Sequence, residues 1–307
     1  MKRIKLNDLY NQPFLSEIQE SEKYVLIPFY RDGKPFGFSG ENAPLWGMTL
    51  RNAGSMRFRW NEKNENREKL LSKIAGGRIN QEKAAETESG HTRSQKFPEE
   101  QHCKISQVQL DHTKIVVFAE DENSTREMIA DGIVTCNKNL MPVVTIADCV
   151  ALYLFDCKTG GFGIVHSGWK GTGIVVNAIN LMKEKFGSEP ENILTGISAC
   201  IHDCCYIVTE DRAEYFRKNF GEGCIKPLEN KTEEEMKAIR SWNGLTGPLF
   251  RLSLVEANLQ LLKNAGIQEG NIAVLDECTS CNSAFGSNRR ETSEGSTFTV
   301  QAAFVRF

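Results

Sequence analysis

Several things are scarce in this chain, and each scarcity removes a class of function. None of its 307 residues belongs to an apolar run of about 18, so no transmembrane span is expected. The opening MKRIKLNDLYNQPFLSEIQE has early positive charges but lacks the apolar stretch of a signal peptide. The chain is therefore expected to stay in the cytoplasm. Positive charge is not in excess either, since 37 Lys and Arg stand against 40 Asp and Glu. The net charge of −3 gives no field for holding nucleic acid or an anionic membrane, and neither partner is expected. No repeat and no convincing linker interrupts the chain, so residues 1–307 read as a single domain.

Cysteine, by contrast, is abundant. Ten are present, at 103, 136, 149, 157, 200, 204, 205, 224, 278 and 281. A chain this long buries a core without disulfide staples, and export to an oxidising compartment is not expected. The thiols are expected to be reduced, most of them buried as small apolar groups and a minority binding metal or reacting.

One compositional break stands out. Gly76–Lys104, GGRINQEKAAETESGHTRSQKFPEEQHCK, almost lacks large apolar residues. Such a segment buries too little surface to offset its ordering entropy, so a mobile surface insertion is expected there. His91, His102 and Cys103, in or beside it, read as solvated loop residues.

Beyond this break, strand-like and helix-like pieces alternate. Lys114–Phe118, Val143–Ala147, Ala151–Phe155 and Phe162–His166 are short β-branched or aromatic runs, the last two joined by the turn sequence DCKTGG. Ile174, Val175, Ala178, Ile179, Met182 and Phe186 fall on one helical face. Thr172 is the expected N-cap of that helix and Gly187 its stop. A second helix is expected after Thr209, and a third from Ser253, with Glu256 completing a capping box. Ile193–Ile197, Ile272–Leu275 and Thr297–Phe304 are further strands. Hairpins mixed with single helices predict an α+β fold, with mixed β-sheets flanked by helices.

Three segments place metal-ligand types at strand ends: His112 before KIVVF, Cys149 after VVTIAD, and His166 at the close of FGIVH. Two imidazoles and a thiolate suit zinc, and three protein ligands leave a fourth position open for chemistry. Spacing alone does not decide this, because a histidine beside a strand is commonly a hydrogen-bonded core or rim residue.

The surrounding words carry more. TIADCVALYLFD followed by GFGIVHSGWKGT resembles the pattern T-x-x-D-C-x-P then H-A-G-W-[RK]-G of the laccase-domain family, whose members are called polyphenol oxidase, peptidoglycan editing factor and purine nucleoside phosphorylase. Asn66-Arg67 resembles the family's N-R before its first helix, and Ala130-Asp131-Gly132 with Thr135 its A-D-x-x-x-T. SACIHDCCYIV at Ser198–Val208 is similar to G-P-x-I-x-x-C-C-Y-x-V. Cys278-Thr279 and Ser287–Arg290 resemble its late C-T and S-Y-R-R. The resemblance starts near Trp46 and breaks at the insertion. Departures are Ala151 for proline, Ser167 for alanine and Ser198-Ala199 for Gly-Pro.

The resemblance implies one zinc per chain, copper being the alternative, on Cys149, His166 and a further histidine. The family reads Q-V-H-G-x-x-V, whereas here Gln107-Val108 precedes Gln109, so alignment on the downstream strand assigns His112. It also implies purine nucleosides and phosphate as substrates, with phosphorolysis of adenosine, inosine, guanosine and methylthioadenosine, and deamination of adenosine. An open zinc site fits that chemistry, because it lowers the pKa of water toward about 7. Arg67, Arg289 or Arg290 are candidates to clamp phosphate or a ribose hydroxyl, each with a structural ion pair as its plain alternative. Asp148 is expected to support the ligands or act as a base, pointing away from Cys149 on an alternating strand.

The resemblance also implies two alternatives: hydrolysis of mis-built peptidoglycan precursors in the same pocket, and copper-dependent oxidation of phenols. Five histidines are too few for several histidine-rich copper centres, which argues against the second. A rival metal site from Cys200, His202, Cys204 and Cys205 with Cys278-x-x-Cys281 has irregular spacing.

Overall fold

The segment VALYLFD at Val150–Asp156 shows no polar alternation before its final aspartate, and every one of its residues is buried. A strand is buried on both faces only where something packs on each. The computed structural model, which describes residues 1–10, 23–37, 42–76, 103–229 and 231–307, shows what does.

In chain order the strands begin with β1 (Lys2–Ile4), β2 (Tyr24–Pro28), β3 (Tyr30–Arg31), β4 (Lys34–Pro35), β5 (Leu45–Thr49) and β6 (Lys104–Gln107). Next come β7 (Val116–Phe118), β8 (Gly132–Thr135), β9 (Leu140–Ile146), β10 (Val150–Asp156), β11 (Phe162–Ser167) and β12 (Ile193–Ile197). The last are β13 (Ile207–Thr209), β14 (Ile225–Pro227), β15 (Leu249–Leu252), β16 (Ile272–Leu275) and β17 (Gln301–Arg306). The helices are α1 (Leu6–Tyr10), α2 (Glu65–Gly76), α3 (Ile174–Phe186), α4 (Glu210–Phe220), α5 (Glu233–Asn243), α6 (Leu254–Asn264) and α7 (Asn288–Ser293).

A seven-stranded sheet runs β1-β16-β12-β10-β11-β8-β7, and a five-stranded sheet runs β2-β5-β17-β9-β6. Both mix parallel and antiparallel pairs, so the expected α+β class with mixed sheets holds. The period of two along β10 sorts its side chains between layers. Val150, Leu152 and Leu154 share a cluster with Ile174, Val175, Ala178 and Met182 of α3. Ala151, Tyr153 and Phe155 instead join Trp46, Val144 and Ala303 of the second sheet. That sheet's outer face, through Leu26, Leu45, Met141 and Phe304, is covered by Leu70, Leu71 and Ile74 of α2. The order of layers is therefore helix, sheet, sheet, helix.

Contact between the sheets is close at Trp46. Its ring lies 4.6 Å from that of Tyr153, and a Cβ at Gly196 would meet it at 2.7 Å. Truncating Trp46 to alanine would cost about 3–5 kcal/mol, as large core deletions do. The rigid pair of sheets fixes the strand ends from which the candidate ligands project.

Local readings mostly hold. DCKTGG closes the β10–β11 hairpin, with Asp156 Oδ1 accepting from the amides of Lys158 and Thr159. Gly187 ends α3 in the left-handed region at φ 68°, and Ser253 caps α6 by accepting from the Glu256 amide. Glu256 does not close the box, since its carboxylate pairs with Arg3. Thr172 is not the N-cap of α3: Gly173 occupies that place, and the Thr172 hydroxyl donates to the Gly168 carbonyl at 2.8 Å instead. Asn66 and Arg67 stand inside the first turn of α2 and not before it, because Asn64 accepts from the Arg67 amide and starts the helix earlier. The strand expected at Lys114–Phe118 begins at Val116, and that at Thr297–Phe304 runs Gln301–Arg306. Of the expected insertion, residues 77–102, including His91 and His102, lie outside the described residues. Its edges are structured, since Gly76 ends α2 and Lys104 opens β6. No helix among the described residues is long and apolar enough to cross a membrane.

Candidate metal centre

One carboxylate organises the place where the strand ends meet. Asp131, fully buried just before β8, accepts from the His112 amide at 3.0 Å and from the Thr113 amide and hydroxyl, both at 2.7 Å. It also accepts from the Asp111 amide at 3.4 Å and meets the Nδ1 of His166 at 2.8 Å. The loop before β7 is thereby bent so that His112 takes a left-handed conformation, φ 55°. That geometry is uncommon outside glycine, and here the hydrogen bonds to Asp131 hold it.

The structure brings His112, Cys149 and His166 together, with their ligand-type atoms all within 4.8 Å of one another. The imidazole rings meet edge to face at 4.9 Å. His166 is buried at the end of β11, Cys149 is half-buried between β9 and β10, and His112 is exposed. Gly168 explains the first glycine of SGWKG: a Cβ there would stand 3.0 Å from the Cys149 sulfur and 3.3 Å from the His112 ring. Gly171 lets the turn pass the Thr113 carbonyl, 3.1 Å from where its Cβ would be.

Electrostatics suit the same donors. Burial pushes the Cys149 thiol up, but the His166 charge and hydrogen bonds from both histidines outweigh it and bring the thiol down to about 7. Burial pulls the His166 imidazole down, yet the Cys149 thiolate and Asp131 carry it up to about 9. A carboxylate on Nδ1 fixes the tautomer that leaves Nε2 for a metal, the arrangement by which ligating histidines are commonly oriented. A thiolate, two imidazoles and an oriented tautomer fit zinc, and the donor types also accept copper.

A cavity of about 720 Å³ opens over this group. Phe58, Trp169, Tyr206 and Phe298 supply aromatic walls, and Arg57, Arg59 and Arg289 supply cations. The Arg212 guanidinium stacks 4.3 Å from the Trp169 ring and donates to the Tyr206 hydroxyl at 3.3 Å, fixing two of those walls.

The other expected site residues separate. Arg289 lines the cavity; Arg67 does not, being buried behind it with its guanidinium 4.6 Å from the Phe58 ring. Burial brings Arg67 down to about 10. Arg290 donates to the carbonyls of Thr279, Ser280 and Asn282, and so latches a loop. Asp148 also lines the cavity but lies on no strand, since at φ 73° it turns the chain between β9 and β10. It accepts from the Thr279 hydroxyl and the Arg289 amide, each at 2.6 Å. Burial still raises its carboxyl above the usual range.

Sequence reasoning missed the roles of Asp131, Arg57, Phe58, Arg59, Trp169 and Tyr206. Asp131 had a signal in the ADG element, and Trp169 and Tyr206 had theirs in SGWKG and CCYIV. Arg57-Phe58-Arg59 had none.

A family model described as "Multi-copper polyphenol oxidoreductase laccase" matches residues 76–303, and the chain belongs to that family. It is 31% identical over 173 residues to a Bacillus subtilis protein named purine nucleoside phosphorylase YlmD, covering 55% of this chain and 57% of that one. It is 30% identical over 164 residues to the Geobacillus stearothermophilus protein of the same name, covering 52% of this chain and 55% of that one. The matches thus span little more than half the length of these relatives. Among solved structures, a Bacillus licheniformis hypothetical protein, YfiH, superposes with a TM-score of 0.68 at 23% identity, over 94% of this chain and 98% of that one. That likeness shows the fold.

Proposed function

We propose that the chain is a zinc-dependent purine nucleoside phosphorylase that also deaminates adenosine and phosphorolyses methylthioadenosine. One observation carries the reading: a single cavity holds the His112, Cys149 and His166 trio, aromatic walls and three arginines. The relatives' printed names support it.

Phosphorolysis needs a phosphate oxygen to form a bond to ribose C1′ while the bond from C1′ to the purine nitrogen breaks and the base takes the electron pair. Arg57, Arg59 and Arg289 would hold the phosphate, as guanidinium forks match its oxygens. Phe58 or Trp169 would stack the base, and Arg67, behind Phe58, would keep that ring in place. His112, Cys149 and His166 would hold zinc, which supplies Lewis-acid polarisation when bound. Asp148 is a positioning residue in this reading, since both of its oxygens already accept hydrogen bonds that fix Arg289 and Thr279. Zinc is favoured over the copper alternative because multicopper oxidation needs several histidine-rich centres. Among the described residues, this trio is the only metal-competent group that contains histidine.

The test pairs metal analysis with turnover of adenosine and inosine, with and without phosphate, on wild type and His112→Ala. Zinc bound by wild type, with phosphate-dependent base release that the substitution abolishes, is the expected result. Zinc present without purine turnover would overturn the activity, and full metal retention at this site in His112→Ala would overturn the ligand set.

A further inference from the structure

A second set of soft donors lies outside the cavity. β12 and β16 run parallel as neighbours, with Ile197 beside Val274. Each leads into a turn, the first carrying Cys204 and Cys205 and the second Cys278 and Cys281, and the two segments are joined by a parallel backbone β-bridge at Cys200 and Cys278, whose thiols are free. In the first turn the amides of Cys205 and Tyr206 both donate to the His202 carbonyl. In the second, the Cys281 amide donates to the Cys278 carbonyl at 3.1 Å, closing a tight CxxC turn. All four sulfurs of Cys204, Cys205, Cys278 and Cys281 fall within 4.8 Å of one another.

The spacing of the sulfurs is informative. Cys205 and Cys281 stand 3.3 Å apart, Cys204 and Cys281 3.6 Å, and Cys204 and Cys205 3.7 Å. Zinc-to-sulfur bonds of about 2.3 Å in a tetrahedron place the sulfurs about 3.8 Å apart, whereas a disulfide needs about 2.0 Å. The His202 amide points at the Cys278 sulfur from 3.4 Å, a contact that favours a thiolate there. Cys204 and Cys281 are exposed, which gives an ion a way in. Cys200 and His202 stand outside the group.

We infer that Cys204, Cys205, Cys278 and Cys281 form a closed tetrathiolate site for one zinc ion that ties the two turns together. The four thiols lose their protons as the ion takes their place, so no oxidant is needed. No position stays open on the ion, and its role is structural. What it braces is the cavity wall. Tyr206 follows Cys205 directly, Arg289 donates to the Cys205 carbonyl at 3.4 Å, and Thr279, next to Cys278, holds Asp148. The site uses none of the residues in the trio, and only the total zinc count expected below rests on the proposed zinc there as well.

The test counts metal in the full chain, purified with reductant and without chelator, for wild type, His112→Ala and Cys204→Ser/Cys281→Ser. The expected contents are about two zinc per chain in wild type and about one in each variant. Equal contents in wild type and the serine variant would overturn the site. Should the serine variant fail to fold, cobalt(II) titration of His112→Ala decides. Strong thiolate-to-cobalt charge-transfer absorption of a tetrahedral site is expected, and its absence would overturn the site. A wild-type mass showing these cysteines paired as disulfides under the same conditions would also overturn it.

Discussion

The two donor groups invite comparison because both are built at strand ends of the same sheet, yet they differ in every feature that decides what a metal would do there. The His112, Cys149 and His166 group has three donors, one of them fully buried, and faces the large cavity. Its geometry is set from behind by Asp131. The Cys204, Cys205, Cys278 and Cys281 group has four donors of one kind, two of them exposed, and none lines the cavity. Three mixed donors with a cavity leave room for a substrate, while four thiolates close the shell. The difference teaches that reactivity here is a matter of what the donors leave free, and not of how many cysteines the chain has.

Exchanging a ligand should separate the two groups most sharply. Cys149→Ser is expected to reduce turnover to background and remove one metal per chain, while Cys281→Ser removes one metal and leaves measurable turnover. Metal counts and rates on the same preparations check this, and equal loss of turnover in both would erase the distinction between them. A smaller effect is expected one step back from the ligands. Asp131→Asn keeps the size of the side chain but weakens its hold on His166 Nδ1 and the His112 loop. Metal affinity at that site is expected to fall about 10–100-fold, as for other partners of ligating histidines. Competition with a zinc chelator measures it, and unchanged affinity would mean that Asp131 only shapes the loop.

How much of this was legible in the sequence depends on how local each feature is. The β10–β11 hairpin and α3 were readable because their own residues state the pattern: an unbroken apolar run, a DCKTGG turn, and a helical stripe with a glycine stop. Cys149 and His166 were readable because they sit in dense local words. Thr172 misled because capping propensity is only one use of a hydroxyl, and the nearby Gly168 carbonyl claimed it. Asp148 misled because strand alternation was extended into a turn. The strands β2 and β5 were not read, since their burial comes from Val25 beside Met48 and Trp46 beside Val305, partners that only the assembled sheet supplies. The four-cysteine group was visible as CC and CxxC, but its convergence rests on the parallel pairing of β12 with β16, which no local spacing announces.

Acidity gives a third comparison, with the sign set by the free proteins. His166 has to be neutral to bind a metal, and in the metal-free chain it holds its proton up to about 9. Cys149 has to be a thiolate, which it becomes above about 7. Between about 7 and 9, binding at the trio therefore displaces one proton from His166, and apparent affinity should rise about tenfold per pH unit before levelling off. Below about 7 the Cys149 thiol adds a second proton and the slope steepens. Calorimetry in buffers of different ionisation enthalpy, on the Cys204→Ser/Cys281→Ser variant so that only the trio reports, measures the number released. A pH-independent affinity across that window would show that His166 is already neutral, and that the pair it forms with Cys149 is not the resting state.

The smallest expected effect is steric. Gly168→Ala places a methyl group where Cβ would stand 3.0 Å from the Cys149 sulfur and 3.3 Å from the His112 ring. Both atoms belong to side chains, so the site can give by a few tenths of an ångström without unfolding the sheet behind it. The displacement should cost about 1–2 kcal/mol, the lower part of the usual range for an extra methyl in a packed region, and should fall on metal binding because the two donors are what must move. Zinc affinity at the trio is expected to drop about 5–30-fold, with the metal on the four cysteines retained and the melting temperature of the metal-free protein little changed. A large fall in that melting temperature with intact metal binding would assign Gly168 to the folding of the SGWKG turn and leave the closeness of its Cβ position to the donors without functional weight.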